Sequence, residues 1–447
     1  MTIKGFARTT LVAALLCLPA FQAAAAGTDT KLLDAARAQQ PAVIQSLHDM
    51  VTIESGSDDT AGLAQMTQYC EDRLRALGAA TRLIPSADGK PTHLVEGVFK
   101  GNGKLRVMLI AHMDTVYRKG ILASEPYHRD GNKLYGPGIA DDKGGVAVIL
   151  NSLAILKQLG WHDYATLTVL FNPDEEIGSP GSGDIIQKLG SENDVVLSYE
   201  PSPAKAIANS EGVLLQAAGT GRASITVQGR ASHAGAAPEE GRNALIELAY
   251  QVLQTRDTTQ SIPGVQMNWT TFNAGTVRNQ IPDHAEAGAD VRFSNAGGTD
   301  KLLAALKAKV AGHSLVPDTT TVVSLDIMRP MYKADERTMT LARLAQSVYA
   351  ELHDGNLAEE NSRDVPGGDM AFNGRNLLLV PGTSGGTDAG FAQSSGKAAV
   401  LEGLGLAGWG YHAKNEYIEV DSIVPRLYLT SRMLMELGKT VDADGTF

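Results

Sequence analysis

The sequence predicts an α/β fold with a buried sheet flanked by helices, into which a smaller α+β unit is inserted. Three observations carry this. Between residues 80 and 200, short β-rich apolar runs alternate with helical patterns. Between 223 and 327 the pattern changes to strand, helix, strand, strand, helix, strand. After residue 330 helical patterning resumes.

Taken in order, residues 27–50 read as an amphipathic helix, and "LAQMTQYCEDRLRALG" places Leu63, Met66, Cys70, Leu74 and Leu77 on one helical face. "RVMLIAH" (106–112), "TLTVLFN" (166–172) and "DVVLSYE" (194–200) are strands. "KGGVAVILNSLAILKQLG" (143–160) is a helix ended by Gly160. In the middle segment, 223–229, 267–275, 285–294 and 319–327 are strands, and 243–257 and 299–313 are helices. That order is ferredoxin-like. The unit starts after "NSEGVLLQ" and ends at "MRP". The remainder offers a helix in "TMTLARLAQSVYAELHDG", a glycine-rich loop "PGTSGGTDAGF", a strand "AAVLEGLG" and a last helix "IVPRLYLTSRMLMELGK".

Composition narrows the class. The 447 residues are 43% apolar and 20% charged, as in an ordinary globular protein. Lys4 and Arg8, the apolar run "TTLVAALLCLPAF" and the small residues "QAAAAG" read as a secretory signal over 1–26. The run is too short to span a bilayer, and no later stretch is long and apolar enough to do so. The expected protein is secreted, periplasmic if the source is a Gram-negative bacterium, and free of the membrane once the signal is removed. Losing that segment takes the net charge from −11 to −13, which argues against a nucleic-acid partner. Cys17 leaves with the signal, so Cys70 has no intrachain disulfide partner and reads as a buried core thiol.

Three strands end in acids or histidine. "LIAHMDTV" supplies His112 and Asp114, "VLFNPDEE" supplies Glu175 and Glu176, and "VLSYEP" supplies Glu200. Ligands of open α/β sheets bind at the carboxyl ends of strands. In extended chain, residues i and i+2 point the same way, so Asp114 can hold the His112 imidazole and raise its basicity toward a cation. The three adjacent acids of "NPDEE" are either a solvated turn or a cation site. "GPGIADDKGG" brings Asp141 and Asp142 to a helix N-terminus, where Asp142 reads as the cap. His412 lies in a Gly/aromatic loop, "GWGYHAKNEY".

The ordered set "AHMDTV", "GPGIADDKGG", "NPDEEIGSPGS", "SYEP", "GRASHAG", "GGTDAGF" and "GYHAKNEY" resembles the M20 metallopeptidases over residues 30–440, most of all the carboxypeptidase G2 type of glutamate carboxypeptidase. The resemblance implies a zinc-peptidase-like catalytic domain with a mixed central sheet, built from 27–212 and 329–447. It makes the inserted unit, 213–328, a dimerisation and lid domain. It implies two Zn2+ per subunit, with Mn2+ or Co2+ as substitutes. Asp141 would bridge the ions, His112 and Glu200 would complete one shell, and Glu176 and His412 the other. Such ions lie roughly 3.5–4 Å apart. Glu175 would be the general base and Asp114 a support for His112. His233 would reach the active site of a homodimer partner and steady the oxyanion. Arg329 resembles the arginine that clamps a substrate carboxylate, and Asn279 and Arg292 resemble substrate-facing positions. Lys205 and Ser210 are placed to meet an acidic side chain, and Thr387 and Asp388 to line the pocket. Where glutamate-specific enzymes are expected to carry a lysine near Ser210, this chain has Ala208.

The activity implied is hydrolysis of the amide bond before a C-terminal amino acid, glutamate or a similar residue, in folate-type or N-acyl-glutamate substrates. A dipeptidase or N-acyl-amino-acid amidohydrolase on the same scaffold is the alternative within hydrolases. A non-catalytic periplasmic binding protein is the alternative outside them, and it would have no need of Glu175 beside a metal ligand.

Overall fold

The computed structural model describes residues 27–208, 210–352 and 377–440. The secretory signal expected at 1–26 lies outside them. Helix α1 (Thr30–Val51) starts where the Asp29 carboxylate accepts the Leu32 N–H at 3.0 Å. Helix α2 (Thr60–Leu77) is capped by Asp59 and stopped by Gly78 at φ +106°. Cys70 is buried on its inner face with Leu63, Met66 and Leu74, as expected.

The central sheet contains β1 (Ala80–Pro85), β2 (His93–Lys100), β3 (Arg106–His112), β4 (Thr166–Asn172), β5 (Val195–Ser198) and β10 (Ala399–Leu401). Their spatial order is β1-β2-β4-β3-β5-β10. The first two pairings are antiparallel and the other three parallel, so the sheet is mixed. Strands β3 and β4 are buried on both faces, which explains their unbroken apolar runs. Alternate residues of β3 serve different cores. Val107 and Leu109 pack with α1, α3 (Lys143–Gln158) and the last helix (Ile423–Thr440). Met108 and Ile110 pack with Ile186, Leu189, Ala389 and Ala392 on the other side. Truncating one of these to alanine costs about 2–5 kcal/mol.

A second sheet is formed by β6 (Gly219–Gln228), β7 (Val265–Ala274), β8 (His284–Phe293) and β9 (Thr320–Arg329), in the order β7-β8-β6-β9. All its pairings are antiparallel. With helices Ala244–Thr255 and Gly298–Val310 it completes the ferredoxin-like pattern. It has its own core, in which Ile225, Val227, Leu248, Val291, Leu302 and Leu306 meet. The sheet starts at Gly219, later than the expected position 213. The reason is that Gly212–Leu214 pairs with Leu378–Val380, and Gln216–Ala217 pairs with Tyr332–Lys333. These short ribbons tie both crossings to the chain outside the second sheet.

A third, five-stranded sheet gave no sequence signal, because its strands are two or three residues long. It includes the hairpin Ala407–Trp409 and Tyr417–Glu419, whose loop presents His412. Among the described residues, no helix is long and apolar enough to cross a membrane.

Candidate active site

Strands β4, β3 and β5 are adjacent and parallel, so their carboxyl ends meet. His112 ends β3, Glu175 and Glu176 follow β4 in a 3-10 turn, and Glu200 follows β5. Asp141 enters from the start of α3. There Asp142 caps the helix, accepting the Gly145 N–H at 3.0 Å. Gly145 allows this close approach, since a Cβ there would fall 2.4 Å from the Tyr199 carbonyl oxygen.

These side chains make two groups that share one carboxylate. His112 Nε2 lies 3.0 Å from Asp141 Oδ1 and 3.8 Å from Glu200 Oε1. His412 Nε2 lies 3.3 Å from Asp141 Oδ2 and 2.9 Å from Glu176 Oε2. Within each group the candidate ligand atoms fall within 4.8 Å of one another. Asp141 thus turns one oxygen to each group.

The charges are poorly balanced without a cation. Burial and the Asp141 charge push the Glu176 and Glu200 carboxyls up. Burial carries Glu175 up to about 8, against the pull of Arg329 and His112. Burial also opposes charging of His112, but hydrogen bonds to Asp114 and Asp141 outweigh it and hold its pKa well above the imidazole range. His412 is lifted to about 10 by hydrogen bonds to Asp141 and Glu176. Asp141 is held well below the carboxylate range, since the two imidazoles overcome its burial. A pocket that draws protons onto both imidazoles is short of positive charge. Imidazole and carboxylate oxygen without thiolate fit divalent zinc, manganese or cobalt.

Asp114 is fully buried and braces both halves of this arrangement. Its Oδ1 accepts the Glu175 N–H at 3.0 Å and lies 3.3 Å from His112 Nδ1. Its Oδ2 accepts the Glu176 N–H at 3.2 Å and the Ser57 hydroxyl at 2.7 Å. Asp174 forms the turn: its carboxylate accepts the Gly181 N–H at 2.6 Å and the Ser182 hydroxyl. The solvated-turn alternative for "NPDEE" therefore fails, because Asp174 and Glu175 are buried and Glu176 faces His412.

A cavity of about 970 Å³ runs from Glu175, Glu176 and His412 to the second sheet, where Arg292 and Arg329 line it. Arg329 Nη1 lies 2.6 Å from Glu175 Oε1. Arg292 pairs with Asp290 at 3.0 Å. Four expected positions are corrected here. Lys205 is buried and taken up by Asp421 at 2.9 Å and Glu211 at 3.6 Å, so its charge is committed inside the protein. Ser210 and Thr387 are buried, and neither lines this cavity; Ser384, Gly385 and Gly386 do. Asp388 does not face the cavity either, because it accepts from Asn172 Nδ2 at 2.7 Å and from the Ser179 hydroxyl.

His233, on a two-stranded ribbon with Gln280–Ile281, and Asn279, in the turn that leads into its second strand, are both exposed and stand apart from the acid–imidazole cluster. The Asn279 carbonyl accepts the Ala234 N–H at 2.9 Å. His233 Nδ1 accepts the N–H groups of Gly235 at 3.2 Å and Ala236 at 3.0 Å, which leaves Nε2 to carry the proton of the neutral ring.

Two acids escaped sequence reasoning. Glu416 accepts the N–H groups of Gly138, Ala140 and Asp141 at 2.8, 2.8 and 3.0 Å, fixing the loop that presents Asp141. Glu402 accepts the Glu200 N–H at 3.3 Å and the Gly403 N–H at 2.6 Å. The only signal for Glu416 was its place in the quoted run "YHAKNEY"; Glu402 had none.

Comparison with known proteins agrees with this geometry. Residues 108–436 match the model of peptidase family M20/M25/M40. The chain is 41% identical over 411 residues to carboxypeptidase G2 of Pseudomonas sp. strain RS-16, covering 92% of each chain. It is 28% identical to a succinyl-diaminopimelate desuccinylase of Stenotrophomonas maltophilia, over 75% of this chain and 86% of that one. Its fold matches an M20 family metallo-carboxypeptidase from Sulfolobus solfataricus with a TM-score of 0.65 at 15% identity, over 89% of this chain and 99% of that one. The fold, the clustered ligand types and the extent of these matches together place the chain in peptidase family M20/M25/M40.

Proposed function

We propose that this protein is a dinuclear zinc carboxypeptidase that releases a C-terminal amino acid, glutamate or a similar residue, by hydrolysing the amide bond before it. The observation that carries this reading is Asp141, whose two oxygens face two separate acid–imidazole groups with Glu175 alongside. His112 and Glu200 would hold one ion, Glu176 and His412 the other, and Asp141 both. Two such ions polarise the scissile carbonyl and lower the pKa of water.

The chain's own groups do the rest. Glu175 takes a proton from the attacking water and delivers it to the leaving amine. Glu176 and Glu175 divide the work, because a carboxylate that holds a cation tightly is a poor proton carrier. Arg329, buried at the cavity wall, offers the planar fork that suits a free carboxylate. Arg292, which lines the same cavity, extends the recognition surface. In a homodimer built through the second sheet unit, the partner subunit's His233 would present its Nε2–H to the developing oxyanion. The leader at 1–26 would export the enzyme.

A panel of N-acyl glutamates, folates and neutral dipeptides, read by amino-acid release with and without chelator, tests this. Chelator-sensitive release from the acyl glutamates is expected. Far faster turnover of neutral dipeptides would reject the glutamate assignment, and absence of bound transition metal after zinc supplementation would reject the metalloenzyme. A second reading, an N-acyl-amino-acid amidohydrolase, is favoured by one observation. Lys205 is locked in an internal ion pair, so it is not the group that reads an acidic side chain. Simple N-acyl amino acids therefore belong in the same panel.

A further inference from the structure

Arg329 and Glu175 are in contact, although the proposed reaction needs them apart. Arg329 Nη1 sits 2.6 Å from Glu175 Oε1, and Nη2 also donates to the Glu175 carbonyl oxygen. Both side chains are buried and both line the large cavity. Arg329 Nε is buried without a partner. Gly386 closes over the guanidinium, since a Cβ there would come within 3.0 Å of Arg329 Cδ and 3.1 Å of Nη1. The arginine is therefore confined beside the carboxylate, with one donor still unsatisfied. A carboxylate oxygen covered by a guanidinium at this distance is not open to a water.

We propose that this pair makes a free substrate carboxylate a requirement of turnover and not of binding alone. In the substrate-free enzyme Arg329 restrains Glu175. A substrate's C-terminal carboxylate docks on the guanidinium, satisfies Nε, and draws Arg329 off the Glu175 side chain. Glu175 then meets the attacking water. Binding energy from a non-reacting part of the substrate is thereby expressed in the chemical step. The inference rests on Glu175 as the base and Arg329 as the carboxylate site. It goes beyond that reading, because a simple carboxylate clamp would change KM and leave kcat alone.

Two measurements test it. The first compares an N-acyl amino acid with its α-carboxamide on the wild-type enzyme and on Arg329→Ala. On the wild type the amide should lose kcat on the order of tenfold or more, the factor one charge-assisted contact carries. On Arg329→Ala the kcat difference between acid and amide should vanish. Equal kcat for acid and amide on the wild type, with only KM changed, overturns the proposal. The second measurement needs no turnover and no metal. Calorimetric binding of the product amino acid to metal-free protein, at a pH above 8 where Glu175 is ionised, is compared for wild type, Glu175→Gln and Glu176→Gln. Removing the competing carboxylate in Glu175→Gln should tighten binding several-fold more than removing the neighbouring charge in Glu176→Gln. Equal tightening overturns the proposal. If chelator-sensitive release fails in the wild type, the functional reading itself has failed, a result separate from either outcome here.

Discussion

Replacing Asp114 by asparagine should weaken metal binding and the metal-free fold together. The carboxylate has four contacts, to the Glu175 N–H at 3.0 Å, the Glu176 N–H at 3.2 Å, the Ser57 hydroxyl at 2.7 Å and His112 Nδ1 at 3.3 Å. Asparagine keeps the shape but turns one oxygen into a donor. If the amide nitrogen takes the Oδ2 place, Ser57 can rotate and accept, but the Glu176 N–H loses its acceptor. If it takes the Oδ1 place, the Glu175 N–H loses its acceptor and His112 Nδ1 keeps only the Asp114 main-chain carbonyl at 3.1 Å. Either way at least one buried donor is orphaned, at a cost of about 1–3 kcal/mol. The remaining bonds also fall from charged to neutral strength, so the metal-free protein should lose about 2–4 kcal/mol in all. Loss of the group that orients His112 typically lowers metal affinity 10–100-fold, or about 1.4–2.7 kcal/mol. Urea denaturation of the metal-free protein gives the first number, and competition with a chromophoric chelator the second. Zinc affinity within about twofold of wild type, alongside the full stability loss, would refute the link to the metal and leave Asp114 as a brace for the turn alone.

Four further outcomes follow from the same structure. Glu175→Gln should still bind zinc, measured by metal analysis, while turnover falls by roughly 10²–10⁴-fold. Chelation should lower the unfolding temperature because Asp141, Glu175, Glu176 and Glu200 lose their counter-charge; zinc at about a hundredfold over its Kd should restore about 2.7 kcal/mol, visible by calorimetry. Arg426→Met should cost about 3–5 kcal/mol in chemical denaturation, because fully buried Glu211 loses its 2.7 Å partner and keeps only Lys205 at 3.6 Å, while Ser202 and the Gly212 and Gly403 carbonyls lose their donor; the double variant with Glu211→Gln should recover part of the loss. Cys70 should resist thiol reagents at pH 8 until the protein unfolds, since burial raises its thiol far above the usual range and leaves almost no thiolate; rapid labelling of native protein would contradict its burial.

The parts of the site that were readable share a cause. Strands β3, β4 and β5 are long enough to show apolar runs, and residues at their carboxyl ends converge because parallel neighbours must end together. His112, Glu175, Glu176 and Glu200 were therefore candidates from position, with the acids of "NPDEE" open between a turn and a cation site until the family resemblance gave them roles, and the ferredoxin-like order of β6–β9 came from the order of strands and helices. His412 had no such anchor. Its hairpin strands are three residues long, and their partner strands lie far away in sequence, so only the family resemblance reached it.

What escaped has a different cause. Lys205 opens a four-residue helix, and Ser210 and Thr387 lie in short irregular segments, where side-chain direction is set by tertiary partners and not by periodicity. Lys205 turns inward because Glu211 and Asp421 are already there. Glu402 and Glu416 escaped because they bind backbone N–H groups, which every loop possesses, so no residue spacing marks them. Yet Glu416 holds the Gly138, Ala140 and Asp141 N–H groups of the loop that presents Asp141, and Glu402 holds the Glu200 backbone. The two groups that share Asp141 thus depend on acids remote in sequence from the ligands they position. A site of this kind is specified twice: strand ends bring the ligands near one another, and buried carboxylates on the returning chain set their final placement.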